Sequence, residues 1–338
     1  MKLYGGIDLH SNNSVVILLD EQDRIVYNKR HPNILEEILL ALKPFQSDIE
    51  GLAIESTFNW YWLVDGLMDA GYPTQLVNTT AVQSYSGLKY SDDNHDARWL
   101  AHLLRLGILP TGYIYPKEER AVRDLLRKRS QLVKQSASNL LSLQNLVIRN
   151  TGKSINSNAV KQLTDEDADL LLSNADQSLA LKCNLSVMQH CRHHAKELEN
   201  VVRQRIKLRP EFKCLLSVPG IGYILALTIM LEAGDIQRFS KAGNFVSYAR
   251  CVDSKKMSNG KKKGENNRKN GNKYLAWAFV EAANFAIRYD STIKSYYQRK
   301  AAKTKRVIAI KAVSHKLARA CFYLMRDQVP FDIKKAFG

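Results

Sequence analysis

The sequence predicts a mixed α/β domain followed by a predominantly helical remainder. Three observations predict it. Short apolar runs alternate with helical patterns through the first third of the chain. Leucines at helical intervals, with few breakers, mark the middle. Apolar helical patterns flanking one basic segment mark the end.

The first element is the apolar run 3–8, which ends in Asp8. Residues 15–19 and 25–28 read as two further strands, with Asn12, Asn13 and the segment 20–23 as turns between them. Three short consecutive strands predict an antiparallel meander. Residues 34–42 have helical spacing. Residues 49–55 are a second apolar run, ending in Glu55. A helix over 60–70, a strand over 74–78 and an amphipathic helix over 93–106 follow. This order of elements is that of the ribonuclease-H-like fold.

The middle segment, 117–149, carries Leu125, Leu132, Leu140, Leu143 and Leu146 at helical intervals. A second long helix is predicted over 179–207, after a Ser/Asn-rich interruption. Two long helices can form an antiparallel hairpin, an intermolecular coiled coil or a plain spacer. In the last third, SVPGIG at 217–222 precedes an apolar helix over 224–231. Its glycines suit either a phosphate at a helix N-terminus or a tight turn between packed helices. Helices are also predicted over 245–249, 274–289 and 306–326.

The chain has 338 residues, 45% of them hydrophobic, enough for more than one core. No apolar run is long enough to span a bilayer, and no secretory pattern opens the sequence, so a cytoplasmic protein is expected. The 5 cysteines are scattered and odd in number, which fits reduced, buried thiols. Fifty basic residues against 33 acidic give a net charge of +17. That balance fits a nucleic-acid partner, because each neutralised phosphate releases a counterion. It also fits other anionic surfaces.

Four carboxylates have the makings of a metal site. Asp8 and Glu55 close apolar runs, and an acid there is costly unless it has a task. Asp93 and Asp96 lie three apart at a predicted helix start and share one face of its first turn. Asp92 competes with Asp93 on spacing, and the pair also suits ordinary acids at a helix N-terminus. In a ribonuclease-H-like sheet the first strand and the next long strand are neighbours. The four acids would then converge, and Mg2+ prefers such hard oxygen ligands.

The second candidate is the loop 251–273, CVDSKKMSNGKKKGENNRKNGNK. Lys255, Lys256, Asn259, Lys261, Lys262, Lys263, Arg268, Lys269 and Lys273 are its expected nucleic-acid contacts. Ser258 stands before Asn259 and Gly260, a turn-forming pair, and beside three lysines. A serine hydroxyl is a poor nucleophile unless a base, a metal or a cationic field activates it.

GIDLH at 6–10, AIEST at 53–57, SDDNHDARWLAHLLRLG from 91, LLSVPGIG from 215 and the run from SNGKKKG to AANFA resemble one known family. They resemble the DEDD transposases of bacterial insertion sequences, the IS-one-ten family, in the branch named after element eleven-eleven. The likeness runs nearly the whole chain, and the motifs are specific through their order and separation.

The resemblance implies a RuvC-like domain at 1–112, a helical coiled-coil and dimerisation segment at 113–208, and a small C-terminal transposase domain at 209–338. It implies a DNA recombinase guided by a structured RNA from the element, localised to the bacterial cytoplasm and nucleoid. It selects Asp93 and Asp96 over Asp92, beside Asp8 and Glu55, as Mg2+ ligands. It assigns Ser258 as the nucleophile that forms a covalent phosphoserine link to DNA, with Ser254 as the alternative if the loop alignment slips. It further implies half-sites from different protomers and a homodimer that assembles to a tetramer on donor and target DNA, without a membrane.

Other residues are weighed against these. His190, Cys191, His193 and His194 cluster on one predicted helix, and four-residue spacing can suit a metal, yet no third ligand is evident and a solvated face is the simpler reading. His95 reads equally as a surface residue or a substrate contact. Arg98 suits a phosphate. Trp60, Tyr61 and Trp62 suit base stacking or the core. Two rival functions remain: a RuvC-like metal-dependent nuclease without serine chemistry, and a non-enzymatic RNA-binding scaffold.

Overall fold

A computed structural model describes residues 1–82, 92–206, 208–254, 256–265 and 270–338. Of the expected site residues, Lys255, Arg268 and Lys269, with the side chain of Lys262, lie outside the described residues. The chain divides into two units, Met1–Lys117 and Glu118–Gly338. Among the described residues, no helix is long and apolar enough to cross a membrane.

The first unit is built on strands β1 (Leu3–Leu9), β2 (Asn13–Leu19) and β3 (Ile25–Pro32), helix α1 (Leu35–Leu42), strand β4 (Ile49–Ile54), helix α2 (Tyr61–Asp69), strand β5 (Thr74–Leu76), and helices α3 (Thr79–Val82) and α4 (Asp93–Arg105). The sheet order is β3-β2-β1-β4-β5. The first three strands are an antiparallel meander, and β4 and β5 join parallel. This mixed α/β sheet and its element order are consistent with the expected ribonuclease-H-like architecture.

Both faces of the central strands are buried, so β1 and β2 read as nearly continuous apolar runs. Leu3, Ile7 and Leu9 point to one side, where Ile38 and Leu42 of α1 and Leu63, Val64 and Leu67 of α2 cover them. Val15, Ile17 and Leu19 point to the other side, against Ala97 and Ala101 of α4. Helix α4 lies unusually close to β1. A Cβ on Gly6 would sit 1.9 Å from the Ala97 carbonyl oxygen and 2.8 Å from the Ala101 nitrogen. Only glycine permits that approach. The far end of α4 is pinned by Asp23, which stands at φ 62° in the β2–β3 turn. Asp23 accepts bonds from Arg105 Nε at 2.7 Å and Nη2 at 2.6 Å, and faces His102 Nδ1 at 3.0 Å.

The second unit begins with α5 (Lys117–Thr151), α6 (Ser157–Val160), α7 (Asp165–Leu171) and α8 (Ala175–Arg205). Helices α5 and α8 pack against each other as an intramolecular antiparallel hairpin. Arg129 meets Glu199 at 2.6 Å, and Ser136 Oγ meets the Met188 carbonyl at 3.4 Å. Leu143, Leu146 and Val147 of α5 share a core with Leu181, Leu185 and Met188 of α8 and the small helices between. The Ser/Asn-rich interruption supplies caps: Asn156, the Thr164–Asp167 capping box, and Asn174.

Then come α9 (Glu211–Leu216), α10 (Tyr223–Ala233), α11 (Ala242–Tyr248), a hairpin of β6 (Lys256–Ser258) and β7 (Lys261–Gly264), and α12 (Lys273–Tyr289), α13 (Ser291–Ala301), α14 (Arg306–Asp327) and α15 (Ile333–Phe337). Helix α10 is buried on all sides, within a core shared with α12 and α14. Gly220, at φ 85°, abuts α12: a Cβ there would lie 2.4 Å from the Ala282 carbonyl and 2.5 Å from the Ala286 nitrogen. In PGIG, therefore, Gly220 serves close packing of a turn on a helix. The basic segment was expected to be a loop, and the structure corrects this to a short β-hairpin. Helix α13 was also missed, because its sequence STIKSYYQRKA buries only Ile293.

Candidate functional site

Strands β1 and β4 run parallel with Ile7 paired to Ile54. The next residue on each, Asp8 and Glu55, therefore points to the opposite side of the sheet from those isoleucines, toward α4. The Glu55 amide donates to the Ile7 carbonyl at 3.1 Å, which extends the ladder and fixes the pair side by side. Asp8 is 3% exposed. Burial, a hydrogen bond to Asp8, and the charges of Asp8 and Asp96 push the Glu55 carboxyl up to about 8. Without a cation, Glu55 thus keeps its proton near neutrality, hydrogen-bonded to Asp8.

The first turn of α4 brings the other two acids. Asp92 is its N-cap and accepts from the His95 amide at 2.7 Å, so this carboxylate is occupied by the helix end. Asp93 lies inward. Arg30 of β3 donates through Nη2 to Asp93 Oδ2 at 2.6 Å and through Nη1 to Asn13 Oδ1 at 2.6 Å. That bond to Arg30 holds the Asp93 carboxyl below the usual carboxylate range, against a smaller opposing effect of burial. Asp96 is exposed, yet near enough to act on Glu55 through its charge.

His10 is a residue that sequence reasoning missed. It lies two residues after Asp8, at the end of β1, and its Nε2 is 3.2 Å from Asp8 Oδ2 and 3.2 Å from Asp93 Oδ2. This buried nitrogen stands at ion-pair distance from both carboxylates without close hydrogen-bond alignment to either, and its nearness helps hold the Asp93 carboxyl low. One donor atom each from Asp8, His10 and Asp93 falls within 4.8 Å of the others. The sequence carries the signal only as D-x-H at a strand end, a pattern that by itself breaks no rule of burial. A carboxyl crowded into keeping its proton, and an imidazole nitrogen set between two carboxylate oxygens, are what a divalent cation satisfies, so this donor set fits one.

The second place is the basic hairpin. Asn259 and Gly260 have φ 48° and 70°, the pair of positive values that a two-residue type I′ turn requires. Ser258 and Lys261 flank the turn as direct cross-strand partners. Ser258, Asn259, Lys256, Lys261 and Lys263 are exposed, as is Lys273 at the start of α12, whereas Ser254 is half-buried outside the strands. The base of the segment is closed. Arg250 donates to the Gly271 carbonyl at 2.9 and 2.7 Å, and the Asn272 amide to the Tyr248 carbonyl at 2.6 Å. Asn272 caps α12 and donates to Glu232 Oε2 at 2.7 Å, while Arg127 grips Glu232 through two bonds of 2.6 and 2.8 Å.

The remaining candidates resolve by packing. Trp60 is buried, with Tyr61 and Trp62 packed onto the same core. His95 stacks on Trp99, with ring centroids 6.4 Å apart. Arg98 is exposed. On α8, His190 and His194 meet through their Nε2 atoms at 2.9 Å, and Glu197 bonds His194 Nδ1, so the third polar partner not evident from sequence is Glu197.

Two family models match this chain. One, described as Transposase and specific to DEDD enzymes of IS110 type, matches residues 5–150. The other, described as Transposase IS116/IS110/IS902 family, matches 212–298. The first contains the acid cluster and the second contains the basic hairpin. The chain is 22% identical over 331 residues to the transposase for insertion sequence element IS1111A of Coxiella burnetii, covering 96% of this chain and 87% of that protein. It is also 25% identical over 144 residues to an IS110 insertion-element protein of Streptomyces coelicolor, covering 42% of this chain and 36% of that protein. With both models matched in order along one chain, and a transposase aligned along nearly all of it, the protein belongs to the IS110 family of DEDD transposases.

Proposed function

We propose that this transposase cuts and rejoins DNA through a covalent Ser258–DNA intermediate, with Mg2+ or a similar divalent cation held by Asp8, Glu55, Asp93 and Asp96. The observation that carries the metal half is the placement of Asp8 and Glu55 at neighbouring strand ends, with Asp93 brought beside Asp8 by α4. When bound, the cation supplies charge that stabilises the pentacoordinate phosphate and the departing oxygen. Glu55 would release its proton to hold it beside Asp8, and Arg30 keeps Asp93 ionised and oriented.

Support for the serine half is the hairpin. Its type I′ turn presents an exposed Ser258 beside Lys261, with Lys256 and Lys263 on the same two strands. The Ser258 Oγ–H loses its proton as Oγ bonds to phosphorus. The P–O bond to one sugar oxygen breaks, and that oxygen leaves and takes up a proton. The free hydroxyl of another strand then attacks the phosphoserine, a P–O bond forms, and Ser258 Oγ regains a proton. The phosphoester count is conserved, so rejoining needs no nucleotide cofactor.

The same reading includes DNA as donor and target, a structured RNA of the element as guide, and a homodimer that assembles to a tetramer, the α5–α8 hairpin serving as its dimerisation arm. The domain division 1–112, 113–208 and 209–338 belongs to this proposal. The test is denaturing electrophoresis of strand-cleavage reactions with end-labelled DNA and guide RNA. A protein-linked DNA species mapped to Ser258, absent in Ser258→Ala, supports the mechanism. Cleavage by Ser258→Ala at the parent rate overturns it in favour of the metal-only nuclease. Unchanged recombination by Asp8→Ala would revive the scaffold reading.

A further inference from the structure

We infer that Asp8, His10 and Asp93 form a coordination position of their own, in which the imidazole nitrogen gives preference to Mn2+, or a neighbouring first-row divalent ion, over Mg2+. This rests on the proposed metal dependence and adds to it a nitrogen ligand and the class of ion that such a ligand selects.

Geometry is the first support. Asp8 lies on β1 and His10 just past its end, their side chains meet on one side, and α4 brings Asp93 to the same point. His10 Nε2 lies 3.2 Å from a carboxylate oxygen on each side. Ligands in adjacent positions around an octahedral ion with bonds of about 2.1 Å are separated by about 3.0 Å. The observed separations are close to that span, so an ion fits between the three with little movement.

The second support is that His10 is held for a task. Its Nε2 is buried and lies between two carboxylate oxygens at ion-pair distance, without the alignment of a hydrogen bond to either, an arrangement that a cation shared by the three would complete. The surrounding residues meanwhile fix its backbone. The His10 amide donates to the Asn13 carbonyl at 2.9 Å. Its carbonyl accepts from Asn33 Nδ2 at 3.0 Å and from Asn59 Nδ2 at 2.9 Å. Each asparagine is oriented in turn, because Asn33 Oδ1 accepts from Ser14 Oγ at 2.7 Å and Asn59 Oδ1 from Thr57 Oγ1 at 2.8 Å. With their oxygens taken by hydroxyls, both amides present their NH2 groups to His10. Such supporting bonds orient ligands at metal centres. Arg30 plays the same part for Asp93.

The third support is ligand chemistry. Mg2+ favours oxygen donors and keeps its water. Imidazole suits ions further along the first-row series, and affinity for a mixed N/O site rises in that direction.

The experiment uses the untagged full-length protein without nucleic acid. Mn2+ titration followed by electron paramagnetic resonance gives affinity, and pulsed resonance reads nitrogen-14 coupled directly to the bound ion. The parent should bind Mn2+ more tightly than Mg2+ competes for it, and show a coupled nitrogen. His10→Ala should lose the nitrogen signal and bind Mn2+ roughly tenfold or more weakly. His10→Asp, which returns an oxygen ligand and tests for folding damage, should recover ion binding with the preference moved toward Mg2+ and no nitrogen signal. Bound Mn2+ without coupled nitrogen in the parent, or coupling that persists in His10→Ala, overturns the inference and leaves the carboxylate site standing. Failure of Asp8→Asn to reduce Mn2+ binding overturns the metal reading itself, and this inference with it.

Discussion

Glu55 shows how a single carboxylate carries information about an ion. Its carboxyl is pushed up to about 8, first by burial and then by Asp8 and Asp96. A folded-state value above the ordinary carboxylate value contributes stability that is present at low pH and lost as pH rises through about 8. Asp93 has the opposite sign: held low by Arg30, it contributes stability that is lost as pH falls below the usual carboxylate range. Thermal melts in chelator should therefore show the protein losing stability from mildly acidic pH toward pH 8. Added Mn2+ or Mg2+ should abolish that loss, because the cation replaces the proton. Equal melting profiles with and without cation would contradict the proposed role of Glu55. The four acids were legible in sequence because each interrupts a pattern, two by closing apolar runs and two by their spacing at a helix start. His10 was not, because a histidine just beyond a strand end breaks no rule of burial. Its meaning comes only from Asp93, which is more than 80 residues away in the chain.

At the scale of elements, the acid cluster depends on how closely α4 approaches β1. The Gly6→Ala methyl would meet backbone of α4, which cannot rotate aside as a side chain can. Helix α4 must then shift, and Asp93 moves with it. Overpacking of this kind costs about 1–3 kcal/mol. Chemical denaturation should show that loss, and Mn2+ affinity should fall although no ligand has been changed. In the second unit Glu232 joins three helices: it lies buried on α10, takes two bonds from Arg127 of α5, and takes one from Asn272 at the cap of α12. Glu232→Ala strips two hydrogen bonds from the half-buried Arg127, leaving it Asp124 at 3.8 Å and the Tyr274 ring, and should cost about 1–3 kcal/mol. The order of strands and helices along the first unit was readable because strand-length apolar runs and amphipathic helices carry different periods. The basic hairpin was not, because KMS and KKKG lack the apolar alternation that announces strands, so the asparagine–glycine turn stood in the sequence without strands on either side of it. What holds that hairpin is its turn geometry and its closed base, neither of which depends on hydrophobic pattern.

At the scale of the molecule, a net charge of +17 dominates the encounter with nucleic acid. Each phosphate neutralised on binding releases counterions, so affinity for DNA should fall linearly with salt on logarithmic axes. The hairpin lysines should share in this. Replacing Lys261 or Lys263 with Ala should reduce the slope by about one each and weaken binding to all sequences alike, because phosphate contacts carry no sequence information. Ser258→Ala should leave the slope unchanged, since a neutral hydroxyl releases no counterion, and this separates the chemistry at that residue from the electrostatics around it. Under the RNA-guided reading, fluorescence anisotropy of the protein alone should also show no preference among DNA sequences. Preference should appear only once the element's RNA is added, because pairing then reads the bases while the protein reads backbone charge and shape. Sequence-selective binding by the protein without RNA would overturn the guided reading. It would leave the salt slope, the carboxylate site and the serine chemistry to be judged on their own tests.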